Sequence, residues 1–159
     1  MLSSVSFMSL AAFKEMPVRP DLAVISIRDY SSSRKLPSFE GYRFVLPVHM
    51  LDVAEEHLRL SPGTWADEPT ESQHLEYCGE PDEQAPSLSH ARAIKQFLAE
   101  LHAETTGYDV VVHCSQGVSR SAAVAAWAAE KFGIPLVDPA GQGLDEANPR
   151  LLRLLRGIP

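Results

Sequence analysis

Val111–Val124 reads VVHCSQGVSRSAAV, and this stretch decides the fold. Val110, Val111 and Val112 lead into His113 and Cys114 as a strand would. A short polar loop follows, and from Ser121 an alanine-rich run reads as a helix. A loop between a strand end and a helix start offers unpaired N–H groups and the positive end of a dipole, so it attracts an anion. Gly117 lets the backbone curl so that successive amides turn inward as a nest. Arg120 adds a planar fork that matches two oxygens of a tetrahedral oxyanion. Cys114 stands in the same field, which favours its thiolate, the nucleophilic form. The stretch therefore describes a cradle that binds an oxyanion and attacks it with sulfur.

Working outward, apolar runs alternate with helical patterns. Val5–Leu10 reads as a short strand and Leu10–Met16 as a helical turn ended by Pro17. Leu22–Ile27 is continuously apolar and of strand length, as suits a sheet covered on both faces. Tyr42–Val48 reads as a further strand, with Pro47 placing it near an edge or an end. Asp52–Leu60 reads as a helix, 61–73 as a loop and Gln73–Cys78 as an alternating strand. Ser87 or Ser89 caps a helix carrying Leu88, Ala91, Ile94, Phe97, Leu98 and Leu101 at helical spacing, ended by Gly107. Asp109–His113 is the strongest strand and Ser121–Phe132 the strongest helix, stopped by Gly133 and Pro135. Asn148 and Pro149 supply the cap and first position of a last helix. The expected fold is α/β, a central and mostly parallel sheet of four to five strands flanked by helices. Residues 1–159 read as a single domain, large enough to bury its own core.

Bulk properties narrow the function. A net charge of -7 argues against a nucleic-acid or anionic-membrane partner, either of which needs a basic face. No apolar run reaches the length of roughly 18 residues that a membrane span needs, and Met1–Phe13 has no basic leader region. Two cysteines, Cys78 and Cys114, form no disulfide framework and fit a reducing, cytoplasmic setting. The six histidines are scattered, so neither a metal nor another cofactor is expected.

The segment His113–Ser121, HCSQGVSRS, resembles the H-C-x-x-G-x-x-R-S signature of the cysteine-dependent protein tyrosine phosphatases, in particular their small dual-specificity branch. The resemblance implies a strand–P-loop–helix active site that hydrolyses phosphorylated proteins or peptides and takes phosphate, sulfate or vanadate. It makes Cys114 the nucleophile and Arg120 the ligand of the equatorial oxygens. The backbone of Ser115, Gln116, Gly117, Val118, Ser119 and Arg120 completes the cradle. Ser121 assists the departing sulfur, His113 orients the loop and tunes the thiol, and Asn148 supports the loop from behind. The family also needs an acid to protonate the leaving group. Asp67, Glu80, Asp82 and Glu83 are candidates, and Asp82 is favoured because it lies 32 residues before Cys114 between Pro81 and Pro86. Relatives carry an aspartate after the strand corresponding to Leu75–Glu80, where this chain has Cys78 and Gly79. The variable loop positions Ser115, Gln116, Val118 and Ser119 are uncharged, which disfavours a multiply phosphorylated lipid. Two other readings fit a cysteine on an anion-binding loop: a rhodanese-like sulfurtransferase and a non-catalytic phosphate-binding module.

Overall fold

The computed structural model describes residues 1–29 and 37–157. Five strands, β1 (Leu2–Ser9), β2 (Leu22–Arg28), β3 (Val45–His49), β4 (Tyr108–Cys114) and β5 (Leu136–Val137), form one sheet in the order β3-β2-β4-β1-β5. Every neighbouring pair is parallel. The two most apolar runs, β2 and β4, lie side by side in the interior and are buried along almost their whole length. That is the pattern expected of strands covered on both faces. β3 is an edge strand, where the missing N–H of Pro47 breaks no ladder that another strand needs.

Alternate side chains of each central strand feed two cores. Ile25, Ile27, Val110 and Val112 face the larger one, shared with α3 (Leu88–Ala103), α4 (Arg120–Phe132) and α5 (Pro149–Gly157). Val24 and Val111 face the smaller one, covered by Phe13 of α1 (Leu10–Glu15) with Phe39 and Tyr42. Ala122, Ala123, Ala125 and Ala128 are fully buried, so α4 lies close against the sheet. None of the described helices is long and apolar enough to cross a membrane.

Several segments depart from the sequence reading. Gln73–Cys78 is no strand but most of a helix, α2 (Glu71–Cys78). A capping box between Thr70 and Gln73 starts it, and Gly79 ends it with a left-handed φ of 74°. The alternation of Leu75 and Tyr77 misleads because α2 buries no residue fully. Tyr77 instead stacks on Trp65, with centroids 4.4 Å apart. The helix expected over Asp52–Leu60 shrinks to a 3₁₀ turn at Glu55–Leu58. The strand expected over Tyr42–Val48 begins at Val45 and runs to His49. Ser87 is the cap of α3, paired with His90 in a capping box.

Because all strands run the same way, their carboxyl ends share one edge, where ligands of open α/β sheets bind. Ser9 ends β1, Asp29 follows β2, Met50–Asp52 follow β3 and Cys114 ends β4.

Candidate active site

Cys114 closes β4 with only 2% of its surface exposed. Its Sγ accepts a hydrogen bond from the Gly117 amide at 3.2 Å and lies 3.1 Å from Ser121 Oγ. The loop between them rests on the end of β1. Gly117 has φ 76°. A Cβ there would stand 2.3 Å from the Ser9 nitrogen and 2.4 Å from the Met8 carbonyl carbon. No side chain fits, so the curl that folds the loop around the sulfur demands glycine. The Leu10 amide donates to the Ser115 carbonyl at 3.4 Å, tying the loop to the start of α1 as well.

Arg120 is the first residue of α4 and is 4% exposed. Its Nη1 donates to the Met50 carbonyl at 2.6 Å and to the Asp29 carboxylate. Its Nη2 lies 3.5 Å from Ser115 Oγ. Among the described residues its buried Nε has no hydrogen-bond partner. A buried donor left without an acceptor is costly, about 1–3 kcal/mol, unless a ligand supplies one. The start of α4 makes the same demand. Ser119 occupies the cap position, yet its side chain caps nothing; its hydroxyl donates to Asp52 Oδ1 at 2.6 Å. The first-turn amides of a 13-residue helix therefore lack a side-chain acceptor among the described residues. Both observations call for an anion at the same place.

Asp52 is held from two sides. Asn148 Nδ2 donates to the same Oδ1 at 2.8 Å and to the Val53 carbonyl at 3.2 Å. The other end of Asn148, Oδ1, accepts from the Leu151 amide at 2.9 Å and so caps α5. Oδ1 of Asp52 thus takes both bonds, and Asp52 is one of the residues that line the cavity beside Cys114.

His113 sits behind the loop, fully buried and stacked on Phe13 with centroids 4.7 Å apart. Burial pushes its imidazole down to about 4, with the positive charge of Arg28 adding to the effect. Neither ring nitrogen has a well-formed hydrogen bond among the described residues. It meets the loop as a neutral packing surface.

These groups enclose a cavity of about 340 Å³ lined by Asp29, Leu51, Asp52 and Val53 on one side and Cys114, Ser115, Gln116, Val118, Ser119 and Arg120 on the other. Most of the residues anticipated from sequence thus meet here, with Gly117 and Ser121 against the sulfur and Asn148 reaching in through Asp52. Asp82 does not join them. It lines a separate cavity of about 710 Å³ together with Glu68, Glu71, His74 and Glu83, on a left-handed backbone with φ 65°. Sequence reasoning passed over Asp29, Asp52 and the Met50 carbonyl. One signal was available, since both acids follow the carboxyl ends of recognisable parallel strands.

A family model described as protein-tyrosine phosphatase matches residues 46–129, more than half of the chain. Comparison with curated proteins and with solved structures gave no match.

Proposed function

Since the chain belongs to the protein-tyrosine phosphatase family, we propose that it hydrolyses phosphomonoesters of proteins, phosphotyrosine and also phosphoserine or phosphothreonine, through a phosphocysteine intermediate. The observation that carries this reading is that, among the described residues, buried Arg120 Nε has no acceptor and no side chain caps the start of α4 beside it. A phosphoryl group in the cavity supplies the oxygens that both lack, while its phosphorus faces Cys114 Sγ.

In the first step the Cys114 thiolate attacks phosphorus, an S–P bond forms and the ester P–O bond breaks. The departing oxygen needs a proton in that same step. We assign its donor to Asp52 in place of Asp82, because Asp52 borders the cavity and Asp82 borders another. With Oδ1 engaged by Ser119 and Asn148, Oδ2 is the oxygen left to carry the proton of the neutral acid to the leaving group. In the second step water attacks phosphorus and passes a proton to the Asp52 carboxylate. The S–P bond breaks, and the Ser121 hydroxyl, 3.1 Å from Sγ, donates to the leaving thiolate. Arg120 holds the equatorial oxygens throughout, its own orientation set by Asp29 and Met50. Among the described residues one cation and two carboxylates line the cavity, which suits a single phosphoryl group better than a polyphosphorylated lipid.

The test is a panel of phosphotyrosine, phosphoserine and phosphothreonine peptides assayed for initial release of phosphate, with Cys114→Ser as the blank. Cys114→Ser is expected to abolish turnover on every active peptide while still binding vanadate. A Cys114→Ser protein retaining a tenth of wild-type turnover contradicts the mechanism.

A further inference from the structure

The described chain between β3 and α3, residues 50–87, contains no strand, only a 3₁₀ turn and the short helix α2, yet it must present the Asp52 carboxyl to the transferred group. What holds this excursion is one buried side chain from a distant part of the sequence. Arg150, in the first turn of α5, is 1% exposed, and all three of its nitrogens are engaged. Nη1 donates to Glu55 Oε1 at 3.1 Å, Nη2 to the Ala66 carbonyl at 2.7 Å and Nε to the Pro86 carbonyl at 2.7 Å. The guanidinium also lies over Trp65, 5.6 Å from the ring centroid. The three acceptors come from near the start, the middle and the end of the excursion.

Glu55 is itself fully buried and satisfied, its Oε2 accepting from the Gly63 amide at 2.7 Å and from Arg153 at 3.1 Å. Burial alone would push its carboxyl up, but the Gly63 amide and Arg150 outweigh it and hold it below the usual carboxylate range. The partners are ionised, buried and mutually dependent, and neither moves without stranding the other. Asn148, two residues before Arg150, grips Asp52 and Val53. The first turn of α5 therefore fixes Asp52 twice, at its carboxyl through Asn148 and along its backbone through Glu55.

We propose that Arg150 is a positioning residue for proton transfer: its ion pair with Glu55 anchors the chain three residues beyond Asp52 and so holds that carboxyl over the Cys114 cavity. Arg150 touches neither substrate nor sulfur; it acts through Asp52. The proposal rests on the assignment of Asp52 as the proton donor.

The experiment compares Arg150→Lys, Asp52→Asn and the double variant on p-nitrophenyl phosphate, whose leaving group needs little protonation, and on phenyl phosphate, whose leaving group needs more. Lysine keeps the charge but cannot serve three acceptors at once. Arg150→Lys is expected to lower kcat/KM, which reports only the steps through departure of the leaving group, by about 10-fold or more on phenyl phosphate, as misplacing a catalytic group does. On p-nitrophenyl phosphate the loss should stay under about 3-fold, and vanadate affinity should be unchanged. Added to Asp52→Asn, Arg150→Lys should cause no further loss on phenyl phosphate, since both act through one proton. Equal losses on the two esters, or losses that multiply in the double variant, overturn the proposal and make Arg150 a general stabiliser. If Asp52→Asn itself shows no preference between the esters, the assignment of the donor has failed, a result distinct from the first. Should Arg150→Lys not fold, Glu55→Gln/Arg150→Met, which removes both charges together, carries the same expectations.

Discussion

His113 gives the stability of the protein a measurable slope against pH. A histidine in an unfolded chain titrates near the ordinary 6.5, whereas in the folded protein burial against Phe13 and the charge of Arg28 hold it at about 4. Between those values the unfolded chain binds a proton that the folded protein refuses. Stability is therefore complete above about 6.5 and falls as the pH drops toward 4. The cost attributable to this one imidazole is about 2 kcal/mol at pH 5 and about 3 kcal/mol at pH 4. His113→Phe removes it. Because neither ring nitrogen makes a well-formed hydrogen bond among the described residues, the substitution strands no partner. Fitting the slightly larger ring costs the same at every pH and cancels in the comparison. Urea unfolding of both proteins at pH 7.5 and pH 5 reads the difference directly. His90, also held at about 4 by burial, and Glu55, held low, stay in both proteins and leave the contrast intact. The variant is expected to lose about 2 kcal/mol less than the wild type on going to pH 5. Parallel losses, within about 0.5 kcal/mol, refute the claim that His113 is buried neutral.

Two further outcomes follow from the loop. Gly117→Ala drives a methyl group into the Met8–Ser9 backbone and should cost more than about 3 kcal/mol, read by thermal or urea unfolding, with turnover lost even where the variant stays folded. Arg120→Lys cannot reach Asp29, Met50 and a bound oxyanion together; vanadate binding should weaken by about 10-fold or more, in line with the loss of a charged hydrogen bond worth roughly 1.5–3 kcal/mol, as measured by inhibition of p-nitrophenyl phosphate hydrolysis.

The parts of this molecule that are legible in the sequence are those whose physics is local. Cys114, Gly117, Arg120 and Ser121 lie within eight positions, and their strand–loop–helix setting is written into the same few residues. β2 and β4 announce themselves because interior parallel strands must be apolar on both faces. α2 does not, because a short solvent-facing helix has no apolar stripe to set its period, and two residues separated by one polar position imitate a strand. β5, two residues long, is too short to carry any period. Asp52 and Asp82, which line different cavities, show what a count along the chain does not see. Counting back from Cys114 favours Asp82, and nothing local contradicts the count. Only the convergence of strand ends at one edge brings Asp52 and Asp29 to the cavity that Cys114 lines, and only the packing of α5 against the excursion reveals what Arg150 grips.

The pairing of β1 with β4 joins Ser9 to Cys114, and the same contact presses Gly117 onto the Met8–Ser9 backbone. During synthesis the first strand emerges about a hundred residues ahead of its partner β4, and its neighbours in the sheet, β4 and β5, both follow it late in the chain. Sheets assembled from such distant segments form slowly, since the entropy of closing a long loop is lost before the contacts return it. The loop of Cys114 to Ser121 rests on the end of β1 and so depends on that closure for its shape. A chain cut anywhere between β1 and β4 therefore lacks the surface on which this loop is shaped.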